Sequence, residues 1–395
     1  MRSRLKTGPG QVVLKGNQLL DEVVSNTELV VQDGNVTIGF LDDNVSVTTQ
    51  LSGQTVYPLD MLIGQAIGDV TLNSGGSLTV KSPMTQRAVL NAATNITVFD
   101  VADTSTATTT NGYIIAACVG NCVTLSASNY IKVAAIGSDC VLTSTADVIS
   151  ANLVGNNSIL TASKCVNVIG YVGAGSYLNS LTSTVNCGML YTGVTVMAQL
   201  DVVCRGVVGV NATVRSKTGC VTLMNAVMDG ASIEASLGIS APCGIGVAAS
   251  LRSDTGAIKV VGGTQAQANL LAQLGVTVTG CVGAQAQITS RTGSVSVVGN
   301  IGTEVVVEAV TSIICKGDIH DGAKLSCPNG VIQVTGNVSQ TASLIAAKVY
   351  INGVLQPQPS VNPINAAPLR FFAKSSNNNR SVEPVTDSSP KLSLH

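Results

Sequence analysis

Apolar and polar positions alternate along much of this chain in short bursts. The pairs Ile258/Val260, Val276/Val278, Val295/Val297, Ile313/Cys315, Ile332/Val334 and Val349/Ile351 each bracket one polar or exposed position. A period of two in β-branched residues marks a strand with one buried face. The bursts keep a fixed distance from a ladder of corner residues: Gly206, Asn225, Gly244, Gly262, Gly280, Gly299, Gly317, Gly336 and Gly353. Each burst lies four and two residues before its ladder residue. A further apolar residue follows two positions after it, as at Val227, Val282, Ile301, Ile319, Val338 and Leu355. Gly219, Gly238, Gly256, Gly275, Gly293, Thr311, Gly330 and Lys348 form a second ladder on the same beat.

A repeat this short is one supersecondary unit that buries its apolar side only by stacking on its neighbours. It has room for three short strands and three tight corners, and Gly or Asn suits such corners. The pattern therefore predicts an all-β chain, a single-stranded parallel β-helix (β-solenoid) with three short strands per 18–19-residue coil. Upstream, the blocks from Gly76, Thr94, Asn111, Asn129, Asp147 and Cys165 hold the same beat, so about fifteen coils are expected over residues 76–355. A right-handed coil is expected, since the six-residue beat of hexapeptide left-handed helices is absent. Asn300, Asp318 and Asn337 are expected to stack in one column, with side chains satisfying each other along the axis.

Residues 1–75 read as an irregular β N-terminal region, either poorly patterned coils or a cap. Residues 356–395 read as a flexible Pro/Ser/Asn-rich tail. The tail carries one apolar island around Phe371 and Phe372, which would dock on the chain itself or on a partner.

Composition agrees with a narrow aliphatic core: aromatic residues are 3% and Trp is absent. Charged residues are 11%, against about 25% in ordinary soluble domains. A net charge of −1 gives no field for nucleic acid, and no apolar run has the length of a membrane span. The basic N-terminus is followed by no apolar segment of a secretory signal. A cytoplasmic or intracellular placement is expected, with a cell or virion surface as the alternative. The 11 cysteines have no zinc spacing and read as small core residues in a reducing compartment. Cys122/Cys140 and Cys187/Cys204 would sit on neighbouring coils, so a disulfide in either pair stays open.

Catalytic chemistry is sparse. Of two histidines, only His320 has acidic company, Asp318 and Asp321, with Glu304 one coil back. Arg215, Asp254 and Arg291 are expected at a similar coil position but two coils apart, too far to converge on one sugar ring. No phosphate loop or calcium repeat is present. The chain is expected to be no enzyme and to take no cofactor or metal.

The rungs Val-Ser-Val-Val-Gly-Asn-Ile (295–301), Ile-Ile-Cys-Lys-Gly-Asp-Ile (313–319) and Ile-Gln-Val-Thr-Gly-Asn-Val (332–338) resemble those of the polymer-forming bactofilins and related bacterial β-solenoids. The resemblance implies a structural rod that assembles with copies of itself, end to end and without nucleotide. A binding rod such as an adhesin or spike shaft, using exposed Thr/Ser/Asn faces, is the alternative, and a polysaccharide-active β-helix enzyme a minor one.

Overall fold

The computed structural model describes residues 3–5, 10–53 and 59–357, with side chains from residue 10 onward. Backbone contacts group Met1–Gln356 as one compact unit and set Pro357–His395 apart. Phe371 and Phe372, with the rest of 358–395, lie outside the described residues.

The unit is a parallel β-solenoid. Through most of the chain each strand pairs in parallel with the strand two places further on, so one circuit holds two named strands. On the first face, Glu28 stacks on Gln11, Ser46 on Glu28, Thr106 on Val89 and Thr124 on Thr106, and the ladder continues to Ser343 on Lys324. On the second face, the inward column runs Ile96, Ile114, Ile131, Ile149, Val166 and Val185.

The third strand is present but short. In the N-terminal half it is the end of the second-face strand after a bend. Ala117 drops out of the pairing there, and Cys118 and Val119 resume it. In the C-terminal half it shrinks to single bridges, from Leu190 on Val208 through to Ile319 on Val338.

The coil makes about 19 turns, not fifteen, because the segment before residue 76 winds as well. Gly10–Lys15 pairs with Thr27–Gln32, that strand with Val45–Gln50, and that one with Val70–Ser74. The expected division at residue 75 thus falls inside a continuous ladder, and the described part of 1–75 consists of coils. Its beat was obscured by one long step. Val70 stacks on Val45, 25 residues earlier, whereas Thr106 stacks on Val89 after 17 and Thr124 on Thr106 after 18.

The core is a column of Val, Ile, Leu and Ala, with Met and Cys at a few places and no aromatic ring among its buried apolar members. A three-sided interior one strand-width across admits aliphatic layers and excludes rings, which explains the composition. Each fully buried Val, Leu or Ile contributes about 1.5–3 kcal/mol, and every rung lends that burial to its neighbours on both sides.

The first glycine ladder is steric in origin over its central stretch. A Cβ on Gly317 would lie 2.5 Å from the carbonyl carbon of Gly299, and one on Gly299 the same distance from that of Gly280. Rungs meet backbone to backbone here. Two expected members depart from the column. Gly244 has nothing closer than 3.5 Å, because the residue in register two positions before Ile245 is Cys243. Gly353 sits with Asn352 in the hairpin that folds Val354–Leu355 antiparallel onto the last strand. Leu355 accordingly lies 54% exposed, not in the inward column.

Left-handed backbone recurs at a different corner, between the third face and the first. Asn26, Asn44, Thr104, Cys122, Asp139 and Asn157 all have φ between 52° and 58°, and Ala248, Gln267, Gln285 and Glu304 continue the column. Asn and Asp tolerate this region, but Thr104, Cys122, Ala248, Gln267, Gln285 and Glu304 do not favour it, so stacking imposes the conformation there.

The Asn300/Asp318/Asn337 column forms, but its side chains do not bond to one another. Asn300 Oδ1 accepts the Asp318 backbone N–H at 2.9 Å, and Asp318 Oδ1 accepts that of Asn337 at 2.7 Å. The same device joins Asn17 to Asn35, Asn35 to Asp60 and Asp60 to Ser77. Each carboxamide or carboxylate replaces a missing corner acceptor.

Candidate assembly and binding surfaces

The acidic groups around His320 serve the corners. Asp321 accepts hydrogen bonds from the hydroxyls of Ser339 and Thr341 on the next rung, and these hold its carboxyl below the usual range. Asp318 caps Asn337, and Glu304 accepts the Gln285 amide at 2.9 Å. The cluster is a set of turn ligands, each engaged with a neighbouring rung.

Arg215, Asp254 and Arg291 do not share a position. Arg215 projects from the first face, where it meets Glu234 at 3.4 Å, with Arg252 in register on the following rung. Asp254 and Arg291 lie in the turn that follows, their backbone N–H groups bonded to Ala235 and Ala272. Those two alanines point inward and are buried. Arg252 bonds Asp254 at 2.8 Å, closing a small exposed charge network.

All 11 cysteines carry free thiols. Cys187 and Cys204 stack in register inside the core with their sulfurs 3.2 Å apart, and the hydrogen bond between them, with burial, pushes the Cys204 thiol up. Cys140 turns inward while Cys122 occupies an exposed left-handed corner, so that pair diverges. No cluster of His, Cys, Asp and Glu suited to a metal occurs among the described residues. No helix among them is long and apolar enough to cross a membrane.

Two surfaces stand out, and only the first escaped sequence reasoning. The first is a polar groove of about 310 Å³ running along the left-handed corner of the early rungs, lined by Asn26, Glu28, Asn44, Asp69 and Arg87. Arg87 meets Asp69 at 3.4 Å, and Asn44 donates to Asn26 at 2.7 Å. Its members are brought together only by the rungs hidden by the long step at 45–70. The spacing of Asn26 from Asn44 was the available signal.

The second is the first face itself, which carries no charge from Ser46 to Met197. Its outward columns are mostly Thr, Ser, Asn and aliphatic residues, including Thr106/Thr108, Thr124/Ser126 and Val141/Thr143, with Tyr177 and Met197 near its end. Asn91 donates to Asn73 at 2.8 Å, and Asn73 to Thr48 at 3.3 Å. Stacked in register, these groups form axial polar ladders.

The two ends differ from the middle. Among the described strands, Gly10–Lys15 pairs with Thr27–Gln32 alone, and its inward Val12 and Leu14 are only partly buried. At the other end Leu344 and Ile351 are likewise partly buried, and among the described residues Val354–Leu355 pairs with Tyr350 and Ile351. No family model matches this chain, and no curated protein or solved structure matches it significantly.

Proposed function

We propose that this chain is a non-enzymatic structural rod that assembles with copies of itself into a filament or lattice. The observation that carries the reading is the N-terminal rung. Among the described strands Gly10–Lys15 pairs on one side only, and Val12 and Leu14 are partly buried, so this rung offers a strand edge and part of the apolar cross-section. Such an edge invites pairing with a strand of another chain. The resemblance of the rungs at 295–301, 313–319 and 332–338 to those of bactofilin-like polymers supports the same reading.

Electron microscopy and sedimentation of the full chain test it. Wild-type protein is expected to form end-to-end assemblies that a Val12→Lys variant shortens, because an inward charge at the terminal rung opposes stacking. A monomeric wild type at the highest attainable concentration refutes the reading.

A second reading, a binding rod, is favoured by the polar groove at Asn26, Glu28, Asn44, Asp69 and Arg87. It requires that an extended polar ligand, such as a glycan strand, bind wild-type protein and lose its binding on Arg87→Ala substitution.

A further inference from the structure

One inward column of the second face brings two reactive side chains together. On successive rungs it runs Val133, Ala151, Val168, Cys187, Cys204 and Leu223. Cys187 and Cys204 are direct register partners, 17 residues apart, and are 1% and 0% exposed. Their sulfurs lie 3.2 Å from each other. The other buried cysteines have no such neighbour. Cys315 stacks between Val297 and Val334, Cys327 stacks on Ala346, and the Cys140 thiol turns to the Gly120 carbonyl.

We infer that Cys187 and Cys204 are a cross-linking site, and that their oxidation to a disulfide staples two consecutive rungs of the solenoid. Register partners on neighbouring strands have Cα atoms about 4.8 Å apart, inside the range of about 4.4–6.8 Å that a disulfide spans. A disulfide holds its sulfurs about 2.0 Å apart, so closure needs an approach of about 1.2 Å. Both side chains already point into the same interior from the same face, so rotation about their Cα–Cβ bonds supplies most of it. The register of the rungs is kept.

The bond would close one full circuit of the coil into a covalent ring. In an array held by nearest-neighbour stacking, each interface between rungs opens on its own account. A covalent link across one interface blocks opening there and leaves distant rungs as they were.

The oxidant is a small disulfide compound. One cysteine, as thiolate, attacks a sulfur of the reagent, forming a mixed disulfide and releasing one reagent thiolate. The second cysteine, as thiolate, attacks the protein sulfur of that mixed disulfide and expels the other half of the reagent. The two protein thiol protons end on the two released thiols, and the protein's two electrons reduce the reagent's S–S bond. In the closed coil both thiols are sealed from solvent, and the hydrogen bond from Cys187, with burial, pushes the Cys204 thiol up. Attack therefore belongs to the open rung, during folding or local opening, and the finished bond is then shielded from reductant.

Full-length protein refolded in a buffer of oxidised and reduced glutathione tests the site, with remaining thiols alkylated in denaturant before digestion without reductant. A peptide pair joined through Cys187 and Cys204 is expected, two hydrogens lighter than the free peptides, with no pair joined through Cys122 and Cys140. The Arg205 amide, which donates to the Cys187 carbonyl across the stapled interface, should exchange at least tenfold more slowly in linked protein than in reduced protein. The Ile114 amide, bonded to the Tyr130 carbonyl, should exchange equally in both. Cys204→Ala should remove the linked peptide and the oxidant's effect on Arg205, whereas Cys315→Ala should keep both. Circular dichroism of each variant reports whether the coil is folded. Refolded wild type with both thiols still free overturns the proposal, as does a link from Cys187 to any other cysteine. Linked protein whose Arg205 amide exchanges at the reduced rate overturns the staple.

Discussion

Three glycines of one ladder should respond differently to the same added methyl group. At Gly317 a Cβ would lie 2.5 Å from the Gly299 carbonyl carbon and 2.8 Å from Asn300 Oδ1. Both neighbours belong to a rung held from two sides, so relief requires the rungs to separate locally. Overpacking of that kind costs about 1–3 kcal/mol. At Gly244 the nearest atom is 3.5 Å away, so Gly244→Ala should stay within about 0.5 kcal/mol of wild type. At Gly353 nothing lies within 4 Å but φ is 80°, and Gly353→Ala should cost about 1 kcal/mol from backbone conformation alone. A long array need not unfold in one step, so the measurement is amide hydrogen exchange, rung by rung. In Gly317→Ala, the amides of Asp318 and Asn337 should lose protection while those near residue 100 keep theirs. Equal effects at 317 and 244 would refute the steric account of the ladder.

Other outcomes follow from single groups. Thr264 is buried between Ile245 and Val282, and its hydroxyl has no partner among the described residues, so Thr264→Val should stabilise by about 1 kcal/mol in thermal unfolding. Asn300→Ala should destabilise by a similar amount, about 1 kcal/mol, by orphaning the Asp318 N–H, seen as faster exchange of that amide. Asp33, Asp42 and Asp321 are held below the usual carboxylate range by hydroxyls of Ser52, Ser25 and Ser339. Their corner bonds should be fully present above the unfolded carboxylate pKa and be lost as pH falls through the lowered folded value, which carboxyl carbon titration by NMR would follow. Alkylation of native protein followed by mass spectrometry should label exposed Cys118, Cys122 and Cys281 and spare Cys187, Cys204 and Cys315. Burial pushes the Cys315 thiol up to about 11. Rapid labelling of Cys204 would contradict its place in the core.

The solenoid was legible from residue 206 onward because two requirements coincided there. Inward Val and Ile alternate strictly, and the close approach of rungs at Gly262, Gly280, Gly299, Gly317 and Gly336 excludes any side chain. Before residue 76 the same winding was hidden by the 25-residue step from Val45 to Val70. The left-handed corner was illegible for another reason. Thr104, Cys122, Ala248 and Glu304 adopt it without any composition cue, because neighbouring rungs dictate the backbone there. The polar groove depends on which distant residues share a rung, information that appears only once the register is known.

The step between Val45 and Val70 also bears on engineering. The strands on either side keep their stacking although extra residues lie between Gln50 and Met61. A helix interior or a sandwich core would be broken by such an insertion, whereas here Met61 resumes the stack on Val36 in register. A foreign epitope or enzyme spliced between Gln50 and Met61 should be displayed at a fixed height along the shaft, with the winding on both sides undisturbed.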